Sequence, residues 1–170
     1  DGSLNASKWF YNCENIWNIY RTELNKQYTV EDYLNFQNKI TTQNLNHRFI
    51  VLYNASAKDA NSTVVDRDDL NLEFINDHVA YSYFTSNISE AHYLTSILNS
   101  SVPNKMMKDF QAKGLFGARH VHKKILDIFF PKFNEKNKAH MQLAALSQTA
   151  HKKATLFLKL NPPKQDLTAI

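Results

Sequence analysis

Apolar positions along this chain change period twice, and each change marks a different kind of element. Ile16, Tyr20 and Leu24 recur at helical spacing, so Glu14 to Lys26 is predicted as an amphipathic helix. Thr29-Val30-Glu31-Asp32 has the form of a helix start, with Thr29 placed to cap and Asp32 at the third helical position. From His47 the texture shifts to Phe49-Ile50-Val51-Leu52-Tyr53, an apolar, β-branched run of strand length. A polar loop over 54–62, a strand at Thr63-Val64-Val65, and further strands over Leu70–Phe74 and Ala80–Thr85 follow, with a turn near Asn76-Asp77.

After that the helical period returns. Ala91, Leu94, Ile97 and Leu98 fit a helix opening at Ser89-Glu90-Ala91-His92 and ending at Asn99-Ser100-Ser101. A second helix is predicted from Pro103 to Ala112, with Gly114 as its left-handed cap and Lys105, Lys108 and Gln111 on one face. Ala118 to Leu126 is read as a further helical turn or two, and a long helix from Ala139 to Leu158 closes the chain. The expected fold class is α+β, a small mixed or antiparallel sheet packed with helices. Residues 1–46 form a helical segment packing on a core domain of residues 47–170.

Composition changes this picture only in part. A chain of 170 residues with 3 Gly and 4 Pro is neither fibrous nor loop-dominated. The single cysteine, Cys13, has no partner for an internal disulfide, which points to a reducing, cytoplasmic compartment. No apolar run approaches the length of a membrane span. Charge is more informative: residues 1–85 have seven Lys/Arg against eleven Asp/Glu, a net of −4, and residues 86–170 have thirteen against five, a net of +8. A basic half on an otherwise acidic chain is the footprint of a phosphate-binding face, or, read more simply, a helical surface with surplus lysine.

Three clusters carry candidate chemistry. His120 and His122 have the spacing of a metal pair, but Arg119, Lys123 and Lys124 around them repel a divalent cation, and no metal site is assigned. Asn161-Pro162-Pro163-Lys164 has lysine where an amino-group methyltransferase tetrad needs an aromatic ring, and it follows a helix directly; it reads as a helix stop. Asp66-Arg67-Asp68-Asp69 reads as a charged turn with an internal ion pair rather than a nuclease carboxylate cluster. Neither a nucleophile elbow nor a glycine-rich cofactor loop is present. What remains is the basic, polar stretch from Lys105 to Lys124 and the loop after Tyr53, where phosphate-seeking and base-reading side chains interleave.

Five strings, RFIVLYNASAKDANSTVVDR (48–67), FINDHVAYSYFTSN (74–87), EAHYLTSILNSS (90–101), FQAKGLFGARHVHKKILDIFFPKFN (110–134) and AHMQLAALSQTAH (139–151), give the chain its likeness. Together they resemble the C-terminal region of adenine-specific DNA methyltransferases and fused type II restriction-modification enzymes, and are similar to target recognition domains of specificity subunits. The resemblance implies a fragment that follows an N-terminal methyltransferase domain and selects the duplex DNA sequence that domain methylates. S-adenosylmethionine would belong to that domain, and no catalytic residue and no cofactor are carried over to this chain. The basic stretch itself offers Lys105, Lys108, Gln111 and Lys113 to DNA, and within the matched strings Arg119, His120, His122, Lys123 and Lys124 fall in the segment expected to approach it. Asn54, Ser56, Lys58 and Asn61 form a readout loop, or alternatively hold a tight turn through backbone bonds. A reading of another class is a protein-interaction module, with Met141, Leu143, Leu146, Ala150 and Leu156 as a helical seam.

Overall fold

The computed structural model describes residues 4–55, 59–76, 80–108, 113–114, 117–118, 125 and 130–162. Two compact units divide the chain, Asp1–Gln43 and Asn44–Ile170.

The first unit is helical. Helix α1 spans Leu4–Tyr20 and α2 spans Val30–Leu34, with a 3-10 turn at Glu23–Asn25 between them. The expected helix over 14–26 is thus displaced: it starts ten residues earlier and stops at Tyr20. Trp17 Nε1 donates to the Tyr28 carbonyl at 3.1 Å and Arg21 donates to the Lys26 carbonyl at 3.1 Å, so the turn bends the chain back instead of prolonging the helix. Ile16, Tyr20 and Leu24 stay 58%, 77% and 85% exposed, so they do not form a buried stripe. The start of α2 follows its sequence signature, because Thr29 Oγ1 accepts from the Asp32 amide and Asp32 accepts from the Thr29 amide.

The second unit is α+β. Strands β1 (Phe49–Asn54), β2 (Ser62–Asp66) and β3 (Ala80–Thr85) form an antiparallel sheet in the order β2-β1-β3. Val51 pairs with Val64 on one side and with Tyr83 on the other. The central position of β1 explains its unbroken apolar run, since Ile50 on one face and Phe49, Val51 and Tyr53 on the other are all buried. Residues 70–76 are not a strand: Arg67 turns inward to Glu73 and to the Phe74 carbonyl, holding this segment off the ladder.

Helix α3 (Ile88–Leu98) covers the inner face of the sheet. Asn87 caps it, its side chain accepting from the amides of Ser89 and Glu90. Ala91, Leu94 and Leu98 join Phe49, Val51 and Tyr53 in one core, closed by Met107 and Ile125. Helix α4 (Ser101–Met107) begins before Pro103 and not at it, with proline in the first turn, where its missing N–H has no intrahelical partner to lose. Gly114 does not cap that helix; it belongs to β4 (Lys113–Gly114), which pairs with β5 (Gly117–Ala118), and Ala118 is therefore extended where a helical turn was expected. Residues 119–124 and 126 of that expectation, like Asp77 of the expected turn, lie outside the described residues. Helix α5 (Lys138–Leu160) ends at Asn161 and Pro162, as a helix stop requires.

Candidate nucleic-acid interface

The loop after β1 is built by asparagines. Asn54 Oδ1 accepts from the Asn61 amide at 2.6 Å and its Nδ2 donates to the Asp59 carbonyl at 3.2 Å. Asn61 Nδ2 reaches the same carbonyl at 3.5 Å. Both side chains therefore close the loop through its backbone, the turn-holding alternative for this pair. Ser56 and Lys58 lie outside the described residues.

Two asparagines that periodicity does not single out fix this loop to the helices. Asn99, at the end of α3, accepts from the Ser62 amide at 2.7 Å and donates to the Ser62 carbonyl at 2.9 Å, pairing with β2 as another strand residue would. Asn104 is buried in α4, accepts from the Ala60 amide at 2.6 Å and donates to the Ser100 carbonyl at 3.0 Å. Their only sequence signal is an amide side chain at a helix end, where backbone groups lack intrahelical partners.

One consequence is spatial. Lys108 on the turn after α4 lies 3.7 Å from Asp59 of the loop, and Lys105 stands exposed one helical turn before it. The structure thus joins two segments far apart in sequence, the loop closed by Asn54 and Asn61 and the end of α4, with Lys105 in the helix and Lys108 just past it. A groove of about 300 Å³ opens beside Asn54, Asn61 and Thr63. For Lys113 only the backbone, in β4, is described, and Gln111, Arg119, His120, His122, Lys123 and Lys124 lie outside the described residues.

The acidic run at 66–69 has a structural task. Arg48 grips Asp66 through two bonds of 2.8 Å and reaches Asp68 at 2.8 Å. Those ion pairs are made with Arg48, and Arg67 pairs with Glu73, so the expected pair inside the run is replaced by pairs that leave it. The bonds from Arg48 hold the Asp66 carboxyl below its ordinary range. Among the described residues no group of three or more His, Cys, Asp or Glu could hold a metal ion. No described helix is long and apolar enough to cross a membrane.

A second feature lies where α5 meets α3 and β2. The buried positions of α5 are His140, Ala144 and Ser147, while Met141, Leu146 and Leu156 remain 39%, 66% and 59% exposed. The helix docks through a polar and small face and leaves its large apolar side chains outside. His92 of α3 is buried and meets Ser147 Oγ at 3.1 Å, and its ring stands edge-on to His151 at 5.0 Å. Burial, and then the neighbouring His151, lower the His92 pKa to about 4. A groove of about 610 Å³ runs beside this pair, between Asp66 and Asp69 on one wall and Lys152 and Lys159 on the other.

No protein-family model, no curated protein and no solved structure matches this chain.

Proposed function

We propose that this chain is the DNA-recognition part of an adenine-specific restriction-modification methyltransferase, binding duplex DNA without catalytic residues of its own. S-adenosylmethionine then belongs to a methyltransferase domain preceding it in the same chain, and the setting is the cytoplasm. The observation that supports this reading best is the union of the asparagine-closed loop with Lys105 and Lys108 through Asn104 and Lys108. Lysines at a helix end beside a loop can anchor on phosphates while neighbouring polar groups meet base edges. The basic residues between Lys113 and Lys124 extend the same charge along the sequence. Replacing Lys105 and Lys108 together by glutamate should weaken duplex binding by at least tenfold in a fluorescence-anisotropy titration. Unchanged affinity with a chain that retains its far-ultraviolet spectrum would remove this face from the interface.

A second reading has its own observation. Leu143, Leu146 and Leu156 on α5 are exposed beside Met141 and Ala150, although an apolar helical stripe normally faces a partner. If this stripe mediates self-association, the native chain has a higher solution mass than Leu146→Glu. Equal masses would dismiss that association.

A further inference from the structure

Two histidines of α5 accept backbone amide protons, and this fixes the form each must take. His151 Nε2 accepts from the Val64 amide at 3.1 Å and shares the Thr63 hydroxyl at 3.0 Å, while its Nδ1 meets the Ser147 carbonyl at 3.1 Å. An amide N–H can only donate and a carbonyl can only accept, so Nε2 is bare and Nδ1 holds the proton. His140 Nδ1 likewise accepts from the Asn134 amide at 3.1 Å, with its ring stacked on Tyr93 at 4.5 Å. A proton added at either accepting nitrogen would face an N–H donor and break the bond.

The position of Val64 makes the His151 bond matter to the fold. Strand β2 is an edge of the three-stranded sheet, and the Val64 amide points away from β1. An open edge is an invitation to wrong pairing, and here His151 covers it with a side chain in place of a strand. Beside it, buried His92 occupies the same joint, and a charge on either ring lies one ring away from the other. Charged groups of both signs surround the joint. Asp66 and Asp69 line it from the sheet side, Asp66 already gripped by Arg48, and Lys152 and Lys159 line it from α5. Glu90, on the first turn of α3, is engaged by Tyr83 and Thr85.

We propose that the α3–α5–β2 joint is a proton-sensitive latch: buried His92, bonded to Ser147, lets α5 dock on α3 only while neutral, and acidification releases α5 and with it the His151 seal on the β2 edge. The sheet and α3 keep their apolar core, so the release is local. His92 adds a quantitative expectation. With an ordinary value of 6.5 and a docked value of about 4, the undocked population rises about thirtyfold between about pH 7.5 and about pH 5 from this residue alone.

Hydrogen exchange of the full chain, corrected for the intrinsic pH dependence of exchange, reads this directly. Between about pH 7.5 and about pH 5 the amides of α5 and of Val64 should lose protection by tens of fold, while Val51 and Leu98 keep theirs. His92→Phe, which fills the space without a titratable group, should flatten the response, and His151→Gln, whose amide oxygen can still accept from Val64, should keep the Val64 amide protected at neutral pH. Equal loss at Val51 and Leu98 would mean general unfolding and overturn the latch, as would unchanged protection of α5. Imidazole ¹⁵N shifts give an independent reading: His151 must hold its proton on Nδ1 at neutral pH, and the opposite tautomer contradicts the geometry.

Discussion

Asn104 Oδ1 accepts the Ala60 amide proton at 2.6 Å across forty-four residues of sequence, at a site buried from water. This bond ties the loop that follows β1 to the helix that bears Lys105, and the proposed DNA-facing surface depends on it. Asn104→Leu keeps the approximate volume but leaves the Ala60 N–H and the carbonyls of Ala60, Leu98 and Ser100 without this partner. Stability should fall by about 2–3 kcal/mol in a urea titration. Faster exchange of the Ala60 amide should accompany that loss; unchanged exchange there would separate Asn104 from the loop.

Leu98 and Leu146 lie on different helices and offer a matched pair. Leu98 is fully buried in the core, whereas Leu146 is 66% exposed. Leu98→Ala should lower stability by about 2–5 kcal/mol through lost burial and a residual cavity. Leu146→Ala should change it by less than about 0.5 kcal/mol. Comparable losses at both sites, seen in parallel thermal melts, would show that the apolar face of α5 is covered in solution.

Acid should weaken this fold in two separate windows. His92 has its folded pKa lowered to about 4, so the unfolded chain binds a proton more readily. Stability is therefore complete above about 6.5 and declines as pH falls from there towards 4, by at most about 1.4 kcal/mol per pH unit for one proton. His92→Phe should remove that slope from denaturation midpoints collected across this range.

Asp66 acts lower on the scale. Its carboxyl is held below the ordinary 3.8 chiefly by the Arg48 bond, so its contribution is present above 3.8 and is lost as pH falls through its lower folded value. Arg48→Gln should flatten the acid limb below about pH 4 while leaving the His92 window in place. An acid limb unaltered by this substitution would assign it to other carboxyls.

How much of this was legible in the sequence depends on whether a residue acts through a repeat or through a single partner. The central strand, the α3 core positions and the long α5 follow from periodicity, because burial imposes a regular spacing on Val51, Leu94 and Leu98. The Thr29 cap was equally readable, since both of its bonds are local. Leu70–Phe74 failed because Arg67 draws it aside, a contact its strand-like composition does not encode. Along α5 the apolar residues mark a seam that the structure leaves exposed, whereas the face that docks, His140, Ala144 and Ser147, is small and polar and carries no periodic hydrophobic signal. The loop was legible as a polar segment, but Asn99 and Asn104, which position it, act over dozens of residues and leave no periodic trace.

The central claim, that this chain binds duplex DNA through a basic face, is tested most directly by salt dependence. Anisotropy of a labelled duplex should report binding at about 50 mM salt and a loss of affinity of at least tenfold by about 200 mM. With Lys105 and Lys108 both changed to alanine, the slope of log affinity against log salt should fall by about 2, one counterion for each phosphate contact removed. No binding to any duplex at low salt would contradict the account for the isolated chain, and binding with an unchanged slope would contradict the face assigned to it.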